Sequence, residues 1–229
     1  MLRALIALLA VGLGALLAGV MFALPAPSGQ LPALVAAHLH ESGVEHPVTA
    51  VLLNFRGYDT LLEIGVLLLA VLGVLAVRQA ADSAAQTTPP AGAVLAALTQ
   101  LVVPLMVLVA GYLLWAGAYQ PGGAFQAGAV LAAAGVLLRL SGRLPPLAPR
   151  FWLRAGLLIG FAVFLAVALG MSLGGRALLG YPPAQAGAWI LLIEASLTLS
   201  IGLILVSLFV GAPAPESSDT PAGGKEFGR

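Results

Sequence analysis

The chain has 229 residues, of which 60% are hydrophobic and only 8% are charged, with 10 Lys and Arg against 9 Asp and Glu. An average soluble domain carries about 25% charged residues, so this composition excludes a soluble globular protein. The absence of cysteine excludes disulfides, thiolate nucleophiles and cysteine-based metal sites, and the net charge of +1 offers no basic field for nucleic acid.

Six long uncharged runs predict six membrane-spanning helices, because about 20 apolar residues rising 1.5 Å each cross a hydrocarbon layer about 30 Å thick. The predicted spans are residues 4–24, 58–77, 94–118, a fourth ending at 138, 155–173 and 188–210. We therefore predict an all-α, polytopic transmembrane helix bundle. The first run follows Arg3 and resembles a signal peptide, but its 21 uncharged residues are too many for one.

The distribution of Lys and Arg predicts the orientation, since cytoplasmic loops retain positive charge. With the N-terminus inside, the inner side carries eight of these residues and the outer side only Arg56 and Arg176. Both termini are therefore expected to be cytoplasmic. The outer connector 25–54 then holds all three histidines, His38, His40 and His46, and we interpret them as solvated loop residues rather than a metal site.

Glu63 lies inside the second predicted span, four residues after Asp59 on the same helical face. One interpretation is a capping box, since Thr60-x-x-Glu63 has that pattern. If the membrane began after Glu63, only the 14 residues 64–77 would remain, about 21 Å. This length favours a buried functional carboxylate. Arg56, three residues before Asp59, is the expected counter-charge of that aspartate, and it is also close enough in sequence to act as a partner of Glu63.

Glu194 is the second carboxyl inside a predicted span, with Thr198 one turn later. It lies about 9 Å from the outer end of its span, a depth similar to that of Glu63. Two roles stay open: a carboxyl that binds and releases protons in an ion path, and a structural group that hydrogen-bonds a neighbouring helix.

The third span contains Pro104, which removes a helical hydrogen bond and predicts a kink. Pro121, Gly122 and Gly123 follow that span, and Gln126 is expected near the outer surface. Counted from residue 125 the fourth span has only 14 residues, so either it begins earlier or the loop enters the membrane as protein-lined irregular backbone. A plain Pro-Gly hairpin is the alternative.

Two segments resemble a known family. The run Pro121-Gly122-Gly123-Ala124-Phe125-Gln126-Ala127-Gly128 resembles the PGGGFQGG signature of MnhB, a component of the Mrp (Mnh) multisubunit sodium/proton antiporters. The run from Arg56 to Glu63, RGYDTLLE, resembles the RGxDTxxE segment at the C-terminal end of MnhA in the same antiporters, and of the matching two-helix component of membrane-bound hydrogenases. Ala116 and Ala118 stand where many MnhB proteins have histidines, so a proton relay in this hairpin is not expected.

The resemblance implies a two-helix module over residues 1–80, a linker at 81–93, a four-helix MnhB module over 94–211 and a disordered tail at 212–229. It also implies a non-enzymatic membrane component without a cofactor that lines or braces a sodium and proton path beside other membrane subunits. The expected location is the cytoplasmic membrane of a bacterium or archaeon. The alternatives are a purely structural scaffold and a self-sufficient transporter, the latter disfavoured because no inverted repeat is visible.

Overall fold

The computed structural model describes residues 2–24, 29–80, 92–144 and 151–211. Within these ranges every regular element is helical, which confirms the predicted all-α fold. The α-helices are α1 (Leu2–Ala23), α2 (Leu31–His38), α3 (Pro47–Ala50), α4 (Gly57–Ala80), α5 (Ala93–Ala116), α6 (Ala124–Leu140), α7 (Phe151–Leu173) and α8 (Ala186–Gly211). The prediction of about six apolar helices holds, since α1, α4, α5, α7 and α8 are long and apolar enough to cross a membrane, and α6 is a shorter apolar helix.

The fourth predicted span is the one whose start the sequence left open. Helix α6 begins at Ala124 and has 17 residues, about 26 Å, so it does not extend back through the preceding glycines. The residues before it form an irregular turn. Helix α5 runs through Pro104 without a break. The bounds of the helix do not test the kink expected at this proline, which stays a prediction.

The chain divides into two compact units, residues 1–37 and 38–229. In the first unit, α1 is apolar and exposed along its described length, with no buried face. An apolar helix with this pattern is typical of a segment surrounded by lipid or by another protein chain.

In the second unit, α8 is the central helix and packs against α4, α6 and α7. Its apolar side chains fill the core, and several are fully buried along its whole length, namely Ile190, Ile193, Leu197, Ile201 and Ile204. A helix that is apolar on all sides is expected to be buried in this way.

Small residues allow the neighbours of α8 to approach closely. A Cβ built on Gly128 of α6 would lie 2.9 Å from the Cβ of Ile201, and one on Gly160 of α7 would lie 2.7 Å from the Cβ of Ser200. These separations are shorter than real contacts, so both helix pairs depend on glycine, as in many membrane helix interfaces.

The connector 25–54 contains helical structure that the sequence did not predict. Its second half folds into a 3-10 turn at Leu39–Glu41, helix α3 and a π-helical turn at Val51–Phe55. Thr49, Ala50 and Leu53 are buried there. His38 and His40 are exposed, in keeping with their interpretation as solvated residues, and His46 is half-buried.

The orientation of the termini stays a prediction. So do the module boundaries at residues 80 and 94, although residues 38–80 belong to the same compact unit as the helices that follow. Most of the predicted linker and the whole predicted tail lie outside the described residues.

Candidate functional site

The turn between α5 and α6 is held by hydrogen bonds from the folded connector. The Thr49 hydroxyl donates to the carbonyl oxygen of Gly117 over 2.5 Å. The backbone N–H groups of Glu45 and His46 both donate to the carbonyl oxygen of Ala118, over 2.8 and 3.0 Å. Irregular backbone at membrane depth is tolerated only where protein satisfies its polar groups, and this turn meets that condition.

Gly123 ends the turn in a conformation that few other residues adopt. Its φ of 101° and ψ of −171° lie in a region populated almost only by glycine. A Cβ at this position would stand 2.6 Å from Oε1 of Glu194. Glycine is therefore needed here for two reasons: it can adopt this backbone conformation, and it lets the carboxyl group of Glu194 in α8 approach closely.

The carboxyl of Glu194 lies at the N-terminus of α6. Its Oε1 accepts a hydrogen bond from the backbone N–H of Ala124 over 3.3 Å, and the residue is only 4% exposed. No Lys, Arg or His side chain forms a salt bridge with Glu194 in the part of the chain that the structure describes. The partial positive charge of the α6 N-terminus is thus the nearest electrostatic partner of this carboxyl.

A cavity of about 430 Å³ lies beside Glu194, and we name it the Glu63 cavity. Its polar lining side chains are His46, Thr49, Thr60, Glu63, Gln126 and Glu194. The two carboxyls that the sequence placed at similar depth therefore open onto the same cavity. Pro121 and Gly122 of the turn also line it.

Glu63 lines the cavity but is exposed in this chain, so the predicted burial of its carboxyl is not found within the chain itself. It forms no salt bridge among the described residues. Arg56 instead pairs with Asp59, with 2.5 Å between Nη2 and Oδ2. Because these side chains are 70% and 42% exposed, the pair contributes little stability in this chain.

The capping-box interpretation of Thr60 is wrong. Helix α4 begins at Gly57, three residues earlier, so Thr60 lies within the first turn. Its hydroxyl donates to the carbonyl oxygen of Leu52 over 2.7 Å and so ties the π-helical turn to α4.

A second cavity, of about 520 Å³, is lined in part by Ala118 and Tyr119, and we name it the Glu45 cavity. Its polar lining side chains are His40, Glu45, Tyr119 and again Glu194. On α8 it extends from Gly187 to Glu194.

Five of the predicted site residues line neither cavity, namely Arg56, Asp59, Pro104, Gly123 and Thr198. The hydroxyl of Thr198 is buried and donates to the backbone carbonyl of Glu194 over 2.8 Å, so it supports the helix rather than the carboxyl. Pro104 lies in the middle of α5 and lines neither cavity.

Sequence reasoning missed Thr49, Thr60 and Glu45 as lining residues, because it treated their segment as a connector between spans and Thr60 as a helix cap. The available signal was Pro47 followed by an uncharged run, a pattern that starts a helix. Of the three histidines, His46 lines the Glu63 cavity and His40 the Glu45 cavity. Within the described ranges, no three His, Asp or Glu side chains are grouped as a metal ion would require.

The sequence profile of a family described as "Domain related to MnhB subunit of Na+/H+ antiporter" matches residues 94–214, more than half of the chain. That stretch contains the Gly123 turn and Glu194. No curated protein sequence matches the chain.

Two solved structures share the fold. A chain of the membrane-bound sulfane sulfur reductase (MBS), an archaeal respiratory membrane complex, superposes with a TM-score of 0.68 at 24% identity, covering 92% of this chain and 98% of that one. A chain of the Mrp complex from Dietzia sp. DQ12-45-1b superposes with a TM-score of 0.64 at 20% identity, and the match covers 96% of this chain but 27% of that one. At these identities the likeness shows the fold alone.

Proposed function

This chain belongs to the family of domains related to the MnhB subunit of Na+/H+ antiporters, and from that premise we propose that it is a non-catalytic subunit lining an ion path in a multisubunit sodium/proton antiporter or a related respiratory complex. The apolar spans place it in a membrane, and we propose the cytoplasmic membrane of a bacterium or archaeon. Its proposed partners are other membrane subunits, which would cover apolar surface such as that of α1 and α5.

The observation that carries this proposal is the shared cavity of Glu63 and Glu194. Carboxyl groups within membrane spans cost roughly 2.5–3.5 kcal/mol each on insertion scales, and they commonly mark ion or proton paths. Two of them on one cavity, together with the hydroxyls of Thr49 and Thr60, supply the oxygen atoms that protons and hard cations need.

The test is isolation of the complex followed by an exchange measurement. The tagged chain, extracted in mild detergent, is expected to co-purify with several membrane subunits. Membrane vesicles that contain the complex should then collapse an imposed pH gradient on addition of sodium, and vesicles lacking this chain should not. A lone monodisperse chain, or equal exchange in vesicles without it, would contradict the proposal.

A structural scaffold is the second candidate, and the hydrogen bond between Ala124 and Glu194 favours it. In that case the carboxyl only fixes the start of α6 against α8. A scaffold predicts that vesicles with fully assembled complex retain exchange when Glu194 is replaced by an uncharged acceptor of the same shape.

A further inference from the structure

The two cavities have one lining side chain in common. Among the described residues, only Glu194 borders both the Glu63 cavity and the Glu45 cavity. On α8 the Glu45 cavity is lined from Gly187 to Glu194, whereas the Glu63 cavity is lined by Glu194 and Leu197. The two cavities therefore follow one another along α8, and Glu194 stands at their junction.

We name Glu194 and the hydrogen-bonded turn beside it the partition. On one side the connector donates from Thr49 to Gly117 and from Glu45 to Ala118. On the other side the turn meets α8 through the N–H of Ala124. Displacing these groups would leave buried carbonyls without donors, at a cost of about 1–3 kcal/mol each. The carboxyl of Glu194 is attached by rotatable side-chain bonds, so it is the part of the partition that can move most easily.

Each of the two cavities that Glu194 lines also has ionisable side chains in its lining. His40, Glu45 and Tyr119 line the Glu45 cavity. His46 and Glu63 line the Glu63 cavity.

We propose that Glu194 is the transfer carboxyl that passes protons between the Glu45 cavity and the Glu63 cavity, an inference that rests on the proposed ion-path function. In the first step, a hydronium ion in the Glu45 cavity gives its proton to the Glu194 carboxylate, forming the O–H bond of the acid and leaving water. In the second step, the acid turns toward the Glu63 cavity and gives the proton to the Glu63 carboxylate. Glu194 returns to the carboxylate form, so protons and charge balance.

Gly123 fits this role because it leaves space for the carboxyl. A Cβ there would lie only 2.6 Å from Oε1, so the carboxyl could not keep its present position at the N–H of Ala124. The same N–H donates a hydrogen bond to this carboxyl and so holds it at the start of α6 between transfers.

The first test compares Glu194→Gln with Glu194→Asp in the assembled complex. Glutamine keeps the shape and the hydrogen-bond acceptor but carries no proton, so sodium-dependent proton exchange should fall about tenfold or more. Aspartate keeps the ionisable group and should retain a measurable part of the exchange. Glu41→Gln is the matched control and should leave exchange unchanged, because Glu41 is exposed and lines neither cavity. Full exchange in assembled Glu194→Gln overturns the proposal and leaves the wider ion-path function standing.

The second test probes the partition itself and needs no exchange activity. The chain has no native cysteine, so Gln126→Cys places a unique thiol in the Glu63 cavity and Ala188→Cys one in the Glu45 cavity. A small impermeant thiol reagent is added from the side that labels Ala188→Cys. Glu194→Ala should then speed the labelling of Gln126→Cys several-fold and leave Ala188→Cys unchanged.

If Glu194→Ala does not assemble, Glu194→Asp serves in its place, because its shorter side chain also widens the junction. If Gln126→Cys is labelled at the same rate whether or not Glu194 is shortened, Glu194 does not separate the two cavities, and the proposal is overturned. If the wild-type complex shows no exchange at all, the proposed function fails, and the labelling still decides whether Glu194 separates the cavities.

Discussion

Oε1 of Glu194 accepts a hydrogen bond from the backbone N–H of Ala124 across 3.3 Å, which joins the first third of α8 to the first residue of α6. The contact exists because Gly123 has no side chain and ends the preceding turn at a positive φ. A charged group in a span and a glycine motif in a loop are thus two parts of one site.

Gly123 is the position where this site is most sensitive to substitution. Gly123→Ala should destabilise the protein by about 1–3 kcal/mol from backbone conformation alone, with a further loss because the new Cβ meets Oε1 of Glu194. The measurement is the thermal unfolding midpoint of the purified complex in detergent. Gly111→Ala in α5 is the matched control, because a Cβ there has no neighbour within 4 Å. Equal unfolding midpoints for Gly123→Ala and Gly111→Ala would contradict the special role of Gly123.

The long spans could be predicted because an uncharged run and its length are local properties of the sequence. The same arithmetic placed Glu63 and Glu194 at similar depth, since each lies a few residues inside its helix. Their shared cavity could not be predicted, because it depends on α8 packing beside both α4 and α6. The pattern of Thr60 and Glu63 matched a helix cap, but the helix begins earlier, where Gly57 packs closely against Leu179.

The connector 25–54 is the part of the site that could not be predicted from the sequence. Its buried part, around Thr49, bears polar residues whose partners are backbone groups about 70 positions later in the chain. No local pattern indicates a partner at that separation. The resemblance to two antiporter segments came closest, because it marked both sides of the site, the run ending at Glu63 and the run beginning at Pro121.

Thr49 should contribute to the stability of the fold rather than to the movement of charge. Thr49→Val keeps the volume but removes the hydroxyl, which leaves the carbonyl oxygen of Gly117 without this donor, and the expected loss is about 1–3 kcal/mol. Thr49→Ser keeps the donor and is the control. The unfolding midpoint should fall for the valine variant and change little for the serine variant, and the reverse order would contradict a role for this hydrogen bond.

The predicted orientation can be checked by single-cysteine labelling in intact cells. Glu41 and Arg143 are exposed and lie on opposite sides of the membrane if the termini are cytoplasmic. Glu41→Cys should react with an impermeant thiol reagent added outside, and Arg143→Cys should react only after the cells are opened. Buried positions such as Ser42 and Ser141 are unsuitable because their side chains are enclosed. Labelling of Arg143→Cys from outside would reverse the orientation.

Glu63 should carry or gate charge, because it lies within a span, faces the cavity that Glu194 also lines, and has no ion-pair partner among the described residues. Glu63→Gln keeps the shape and hydrogen bonding but removes ionisation. The complex should assemble in normal amounts and lose sodium-dependent proton exchange in membrane vesicles.

Asp59→Asn is the informative comparison for Glu63→Gln. It removes a carboxyl from the same helix, but one that is paired with Arg56 and lines neither cavity, so exchange should be largely retained. If Glu63→Gln and Asp59→Asn reduce exchange equally, the loss of exchange follows from removing negative charge near the start of α4. It does not then depend on a carboxyl in the cavity. If assembled Glu63→Gln retains full exchange, Glu63 has no part in the ion path, and the scaffold interpretation gains support. Loss confined to Glu63→Gln would tie the exchange to the cavity, because the position of the carboxyl is what distinguishes the two variants.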